Sequence, residues 1–173
     1  MVVAGVHAMP TINRILAPTD FSEDSANALE YAEDLARKYG AELILLHIDQ
    51  IITPIAIGPA PGAGYDPTAI EAVGRVADEQ RAIAQRELEK MTERLKATGL
   101  KVRGVLKIGT PFLEIVTTAK SEAADLIVMG THGRTGIAHI LMGSVAERVV
   151  RKAPCPVLTV RHPDRKFQHP LDG

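Results

Sequence analysis

The amino-acid sequence predicts an α/β domain in which a parallel β-sheet carries helices on both faces. Two observations lead to this fold class. Short apolar segments alternate along the chain with longer segments whose apolar residues recur every three or four positions, as in an amphipathic helix. Segment 43–48 is almost continuously apolar, which is typical of a strand covered on both faces of a sheet. Strands that alternate with helices are joined by right-handed crossovers and therefore run parallel.

Five segments are predicted to form the strands. They are residues 14–18, 43–48, 102–108, 125–129 and 156–160. Pro18 is expected to end the first strand because proline has no N–H to donate. Ligands of such sheets bind beyond the carboxyl ends of the strands, at the point where the winding direction reverses. Functional residues are therefore expected directly after the strands.

Four segments are predicted to form the helices. The first is capped by Ser22 and closed by Gly40, since these residue types satisfy free backbone groups at helix ends. Its inward face is predicted to comprise Ala28, Leu29, Ala32, Leu35, Ala36 and Tyr39. The second helix has Asp66 as its cap and Pro67 at its first position, and it ends at Gly99.

The two remaining helices follow the third and fourth strands. The third helix begins at Thr110 and Pro111, and the fourth spans about 144–152 and stops before Pro154. The inward residues of the third helix are predicted to be Ile115, Val116, Ala119 and Ala123.

Chain length predicts one domain. The chain has 173 residues, against roughly 150 per domain in globular proteins. We place the domain at 11–162, with polar tails at 1–10 and 163–173. Residues 50–66, which are rich in proline and glycine, are predicted to form a long loop, and loops of this length inside a domain are usually lids, binding segments or mobile.

Composition excludes several function classes. Aromatic residues make up 3% of the chain and the net charge is −1, which argues against nucleic acid held by stacked aromatics or by many phosphate contacts. Cys155 is the only cysteine, so neither an internal disulfide nor a multi-cysteine zinc site is possible. Residues 1–10 lack the charged and apolar regions typical of a signal peptide, and no apolar run approaches the roughly 18 residues of a membrane span. We expect a cytoplasmic protein with no nucleic-acid or membrane partner.

The segment after the fourth strand carries the strongest functional signal. Gly130 and Gly133 are separated by two residues, Gly133 and Gly143 by nine, and Ser144 follows directly and opens a helix. Glycines allow the backbone to approach a ligand closely, and a helix N-terminus favours phosphate. Arg134, the one cation of this segment, could reach a phosphate. The spacing fits neither a Walker A loop nor a GxGxxG fingerprint.

Each of these signals also has a purely structural interpretation. Gly130 and Gly133 could simply turn the chain, and Ser144 could cap its helix together with Glu147 at the spacing of a capping box. Asp20 precedes a helix and could serve as a cap.

Taken by themselves, without any family resemblance, three further residues are expected to have no functional role. We expect His132 to be exposed in its turn. His47 lies inside an apolar strand and is expected to be a hydrogen-bonded histidine rather than a catalytic one. Cys155, between two prolines, is expected to pack rather than to take part in redox chemistry.

The motifs in this order resemble the universal stress protein family. The spacing Gly-x2-Gly-x9-Gly-Ser looks like the family's ATP-binding signature, and residues 15–22 (ILAPTDFS) resemble its first strand and the following turn. Residues 45–48, 129–133 and 154–160 are similar to the family's second-strand end, fourth-strand exit and last strand. The resemblance covers about 13–161 and implies a flavodoxin-like sheet in the order 3-2-1-4-5, with ATP bound above the gap between strands one and four.

The resemblance also implies a set of nucleotide contacts. The matching positions are Ala17, Pro18, Thr19, Asp20, Ile48, Val105, Met129, Gly130, His132, Gly133, Arg134, Gly143, Ser144 and Val145. The first four would contact the adenosine, Ile48 would pack on the adenine with Val105 or a neighbour closing the pocket, and Met129 and Gly130 would flank the ribose. The residues from His132 onward would hold the phosphates. Phe21 is the one aromatic expected beside this otherwise aliphatic adenine site.

The resemblance implies an adenine nucleotide (ATP, ADP or AMP) as ligand. Any Mg²⁺ would be carried by the nucleotide. We predict neither a catalytic residue nor a resident metal, because no nucleophile with an adjacent base is found and Asp20 is the one acid beside the site. Hydrolysis is expected to be absent or slow.

Two alternatives from other classes stay open: a weak ATPase or nucleotide-dependent transferase, and an interaction module with an unused nucleotide site. A flavodoxin-type electron carrier is disfavoured by the lack of tryptophan. Because relatives of this kind pair through the fifth strand, we predict a homodimer through 156–160, and a protein client is a further expected partner.

Overall fold

The computed structural model describes residues 11–50, 67–133 and 142–162. The strands are β1 (Arg14–Thr19), β2 (Glu42–Asp49), β3 (Val102–Ile108), β4 (Leu126–Gly130) and β5 (Val157–Val160). The helices in this part of the chain are α1 (Glu23–Tyr39), α2 (Pro67–Ala97), α3 (Pro111–Ser121) and α4 (Ser144–Lys152). All strands are parallel and lie in the order β3-β2-β1-β4-β5, which confirms the predicted fold class. The predicted tails and residues 51–66 lie outside the described residues.

The two faces of the sheet carry separate hydrophobic cores, because side chains alternate along a strand. Ile15 and Ala17 pack in the core beneath α1 and α2, which we call the α1/α2 face. Leu16 packs in the core beneath α3 and α4, the α3/α4 face. A residue's parity along its strand therefore decides which pair of helices it meets.

Local signals placed the ends of α1 correctly. Ser22 caps the helix and accepts a hydrogen bond from Ser25 N, and Gly40 closes it in the left-handed conformation with φ of 65°. The prediction that Tyr39 faces inward is wrong, because Tyr39 is 55% exposed. The helix ends at this residue, and the core beneath its last turn is filled by Ala36 and Ala41, both buried.

The end of α3 and the start of β4 differ from the ends that the hydrophobic pattern predicts. α3 ends at Ser121, so the predicted inward position Ala123 lies in the following turn at φ of 49° and is exposed. The next residue, Ala124, is buried in its place. β4 begins at Leu126, and the Asp125 carboxylate instead accepts hydrogen bonds from the backbone N–H groups of residues 13 and 14.

α2 begins at Pro67 as predicted and continues through Gly74. Its buried hydrophobic residues on the α1/α2 face are Leu88 and Leu95, and Thr92 between them is buried as well. None of the helices in the described residues is both long enough and apolar enough to cross a membrane.

Pro18 separates β1 from β4. Backbone groups alternate in direction along a strand: Asn13 O accepts from Glu42 N on the β2 side, whereas Arg14 O accepts from Asp125 N on the β4 side. By this alternation residue 18 faces β4, where proline has no N–H to donate. Pairing of β1 with β4 ends at Leu16 opposite Ile127.

On the other side, β1 does not end at Pro18 as predicted. It runs one residue further and pairs with β2 as far as Thr19 opposite His47. The sheet is therefore open between β1 and β4 at its carboxyl edge while it stays closed between β1 and β2. This opening lies at the reversal of strand order, where such sheets bind ligands.

Candidate functional site

The carboxyl edge between β1 and β4 brings together most of the predicted site. The turn after β1, the end of β4 with residues 131–133, and the start of α4 all meet there. Arg134 lies outside the described residues.

The turn after β1 is held by side chains of its own residues. Asp20 Oδ1 accepts hydrogen bonds from Ser22 N at 3.1 Å and from Ser22 Oγ at 2.5 Å. Thr19 Oγ1 accepts from Phe21 N at 3.1 Å and lies 3.1 Å from Ser25 Oγ. Asp20 is therefore not the helix cap itself, because it orients Ser22, which is the cap. One carboxylate oxygen of Asp20, Oδ2, is directed toward the segment after β4.

His47 supports this turn from the α1/α2 face of the sheet. Its Nδ1 lies 2.8 Å from Thr19 O, and its ring stacks on Phe21 with centroids 4.3 Å apart and planes inclined by 26°. His47 is buried and hydrogen-bonded, as expected. Phe21 has a φ of 62°, a conformation that costs a bulky residue roughly 1–3 kcal/mol and that surrounding contacts must maintain.

Gly133 packs against the carboxylate of Asp20. A Cβ built on Gly133 would lie 2.5 Å from Asp20 Oδ2, which is so short that the carboxylate or the backbone would have to shift. Glycine at this position therefore allows the segment after β4 to approach the turn after β1. The two sequence motifs with the strongest functional signal meet at this contact.

The other two glycines of the signature have packing roles. A Cβ on Gly130 would lie 2.9 Å from Asp24 O, so this glycine admits the first turn of α1. Gly143 N donates to Thr131 O at 2.7 Å and joins the two ends of the segment 131–143. Thr131 N in turn donates to Val160 O at 3.0 Å, which ties this segment to β5.

The prediction that His132 is exposed is wrong. The residue is buried, and its Nδ1 lies 3.0 Å from Thr131 Oγ1. A polar residue in a glycine-rich turn is exposed only if the turn projects into solvent. Here the turn is drawn back onto the sheet by the bonds of Thr131 to β5 and to Gly143.

The predicted apolar wall is divided between the two faces of the sheet. Met129 is part of the core of the α3/α4 face, and Ile48 and Val105 are half-buried at its margin. The Ala17 side chain lies in the core of the opposite face, so Ala17 can contribute only backbone to a site shared with these three. Successive side chains of β1 point to opposite faces of the sheet, and this places Ala17 on the α1/α2 face.

Phe112 is a residue that sequence reasoning missed. It packs, half-buried, against the same core as Ile48, Val105, Met142 and Val145, whereas Phe21 lies on the other face against His47. Arg148 covers the Phe112 ring, with its guanidinium carbon 3.9 Å from the ring centroid, and so links α3 to α4. The available signal was the Thr110–Pro111 helix start, which places Phe112 in the first turn of α3 at the carboxyl edge.

The capping-box prediction for α4 is wrong by one position. Gly143 is the N-cap, without a side-chain hydrogen bond, and Ser144 is the first helical residue. The backbone N–H of Glu147 therefore donates to the backbone oxygen of Gly143, and not to the Ser144 side chain as in a capping box. Ser144 is exposed and Val145 half-buried at this helix start, where free backbone N–H groups remain to receive an anion.

Cys155 is half-buried against the α3/α4 core, as expected of a packing residue. Burial raises the pKa of its thiol, which keeps the thiol protonated. Within the described ranges, His, Cys, Asp and Glu side chains form no group of three that could hold a metal ion.

Comparison with known proteins shows which family this sequence matches. Residues 11–161 match the sequence profile of the universal stress protein family. The chain belongs to the universal stress protein family. It is 37% identical over 153 residues to universal stress protein MJ0531 of Methanocaldococcus jannaschii, a match that covers 88% of this chain and 84% of that protein. It is 34% identical over 155 residues to MJ0577 of the same organism, covering 86% and 94%.

Solved structures of universal stress proteins share the fold. The structure of MJ0577 superposes with a TM-score of 0.75 at 32% identity, covering 89% of this chain and 99% of the other. A universal stress protein solved in complex with cAMP has a TM-score of 0.53 at 27% identity, covering 87% and 98%. UspA from Lactobacillus plantarum, at 24% identity and a TM-score of 0.72, shows the same architecture.

Proposed function

We propose that this universal stress protein binds an adenine nucleotide, with ATP as the leading candidate, at the opening between β1 and β4. It would act as a nucleotide-responsive stress regulator or protective factor whose occupied state is read by a protein client. Hydrolysis would be slow or absent. The protein would work in the cytoplasm.

One observation carries the proposal: Pro18 ends the pairing of β1 with β4, and Gly133 and Asp20 meet beside the resulting opening. A carboxylate such as that of Asp20 is a suitable acceptor for ribose hydroxyls. The backbone around Gly133 and the start of α4 supply N–H groups suited to phosphates. The opening thus offers complementary groups to the two polar parts of a nucleotide.

The apolar margin of the α3/α4 face suits the third part, the base. Ile48 and Val105 present half-buried aliphatic surface, and Phe112 adds an aromatic ring. Since a related structure holds cAMP, an adenine ring is the base we favour. Mg²⁺ would be brought by the nucleotide rather than held by a protein site.

Calorimetric titration of nucleotide-stripped protein with ATP tests this proposal. Wild type is expected to bind. Asp20→Ala is expected to weaken binding about tenfold, because one charge-assisted hydrogen bond is lost. Gly133→Val is expected to weaken it at least as much, because its side chain would collide with the Asp20 carboxylate. Asp34→Ala is the matched control, because Asp34 is an exposed acid of α1 that pairs with Lys38. The proposal fails if wild type does not bind, or if both site variants bind like wild type.

Phosphate release distinguishes a binding protein from a weak ATPase or transferase. We expect release at the background rate. Release well above background that is abolished by Gly133→Val would favour the enzyme. Mass spectrometry of small molecules released from the purified protein would identify which adenine nucleotide it carries.

We further propose that the protein is a homodimer formed through β5. β5 is an edge of the sheet, its four residues include no charge, and Leu158 is 37% exposed. An uncharged edge strand readily pairs with another strand. Light scattering should give a dimer mass for wild type and for the control Ile83→Lys, and a monomer mass for Leu158→Lys. A monomeric wild type at micromolar concentration would refute the proposal.

A further inference from the structure

We propose that His47 is a positioning residue that sets the orientation of the Asp20 carboxylate, and through it the affinity of the proposed nucleotide site. His47 itself lies at the end of β2 on the α1/α2 face, away from the half-buried apolar margin that suits the base. The inference rests on the proposed nucleotide function for its effect on affinity. Its structural part, the control of Asp20, stands independently.

The first contact is the hydrogen bond between the His47 ring and Thr19 O. A carbonyl oxygen only accepts, so His47 Nδ1 carries the proton and donates it across 2.8 Å. This carbonyl belongs to the peptide unit that joins Thr19 to Asp20. The hydrogen bond therefore fixes the plane from which the Asp20 side chain projects.

The second contact is the stack between the same ring and Phe21. Phe21 holds a φ of 62°, which a phenylalanine adopts only when its surroundings maintain it. The imidazole lies against the Phe21 ring at a centroid distance of 4.3 Å. One imidazole thus holds the residues on both sides of Asp20, the preceding one by a hydrogen bond and the following one by ring contact.

The Asp20 carboxylate is tightly constrained by its neighbours. Its Oδ1 accepts two hydrogen bonds from Ser22, and its Oδ2 faces Gly133 so closely that a single added carbon would collide with it. A small rotation of the peptide unit before Asp20 would break the Ser22 hydrogen bonds or force the carboxylate against the backbone of Gly133. The control of this peptide unit by His47 is therefore control of the carboxylate.

Two variants separate the contacts. His47→Phe keeps an aromatic ring for Phe21 but removes the donor, whereas His47→Asn places an amide donor near the position of Nδ1 and removes the ring. Hydrogen exchange of the Ser22 amide, which donates to Asp20 Oδ1, reports the carboxylate's position without any ligand. We expect His47→Phe to accelerate this exchange about tenfold, the loss of one hydrogen bond, and His47→Asn to accelerate it less. The exchange of amides in the core of β2 should stay unchanged in His47→Asn.

A double-mutant cycle with Asp20→Ala tests the effect on affinity. If His47 acts through Asp20, His47→Phe weakens ATP binding several-fold in the wild-type background and has no effect in the Asp20→Ala background. An equal loss in both backgrounds, or unchanged Ser22 exchange in His47→Phe, would overturn the inference. If wild type binds no ATP, the proposed function fails, and the Ser22 exchange in the two His47 variants alone decides whether His47 positions Asp20.

Discussion

Gly133 and Asp20 are in direct contact across the opening of the sheet, with the position of a Cβ on Gly133 only 2.5 Å from Asp20 Oδ2. The contact joins the connection after β4 to the turn after β1, although the two belong to opposite halves of the chain. The conformation of Gly133 is not the left-handed one that favours glycine, so the carboxylate alone explains why a side chain is excluded here. This makes the contact testable by a pair of substitutions.

We predict that Gly133→Ala destabilises the protein by about 1–3 kcal/mol, the usual cost of overpacking. The same change in an Asp20→Ala background should be nearly neutral, because the colliding oxygen is gone. Urea denaturation of the four proteins measures both effects. Equal costs in the two backgrounds would show that something other than the Asp20 carboxylate excludes a side chain at position 133.

Gly130→Ala should be costly for a different reason. The added Cβ would meet Asp24 O at 2.9 Å, and a backbone atom inside a helix cannot move aside as a side chain can. We predict a loss of about 1–3 kcal/mol that no single side-chain change relieves. Gly74→Ala is the matched control: its Cβ meets nothing within 4 Å in α2, so it should stabilise the protein by about 0.5–1 kcal/mol. Thermal unfolding should therefore move in opposite directions for the two variants.

Pro18→Ala supplies the N–H that β1 lacks on the β4 side. We predict that this N–H joins the β1–β4 ladder and becomes protected from hydrogen exchange, which narrows the opening and weakens ATP binding. Net stability should change by less than about 1 kcal/mol, since the new hydrogen bond offsets the greater freedom of the unfolded chain. Pro111→Ala, at the start of α3, is the control for losing a proline. Rapid exchange at position 18 would contradict our account of the opening.

Acidification should lower the free energy of unfolding, because it weakens an ion pair at the amino edge of the sheet. Arg103 Nη2 contacts Glu122 Oε2 at 2.5 Å and its Nε contacts Glu42 Oε1 at 2.9 Å. The hydrogen bond from Arg103 lowers the pKa of the Glu122 carboxyl in the folded state. Folding therefore favours the ionised form, and this contribution is complete above the unfolded-state pKa and disappears as pH falls through the lowered folded pKa.

Glu122→Gln removes this contribution at every pH. We predict that the variant is less stable than wild type at neutral pH, by at most about 1 kcal/mol because the pair is partly exposed, and that the difference shrinks in acid. Urea denaturation at several pH values measures it. A difference that is constant with pH would indicate that the ionisation of Glu122 makes no contribution.

Much of the fold could be predicted because its signals are local. The Ser22 cap, the Gly40 end of α1 and Pro67 at the start of α2 are determined by backbone groups within a few residues. The errors in the helices occurred at their last residue or just beyond it. Tyr39 and Ala123 continue a helical period in the sequence, but the helices themselves stop at or before these residues.

The candidate site divides in the same way. The glycine spacing and the turn after β1 are visible in the sequence, and the resemblance they carry led to the correct family. The burial of His132, the separation of Ala17 from Met129, and the presence of Phe112 at the apolar margin were not predicted. Each of these features depends on the order of the strands in the sheet and on the face of the sheet to which a side chain points.

The sequence by itself determined the alternation of strands and helices, the helix caps and the residue types that surround the opening, because periodicity and capping act over a single turn or strand. Only the tertiary structure decided that Pro18 faces β4 rather than β2 and that Gly133 contacts Asp20. It also decided that His47 supports the turn after β1. These relationships join residues far apart in the chain. They are set by strand order and register, which follow from the packing of the whole sheet between its helices.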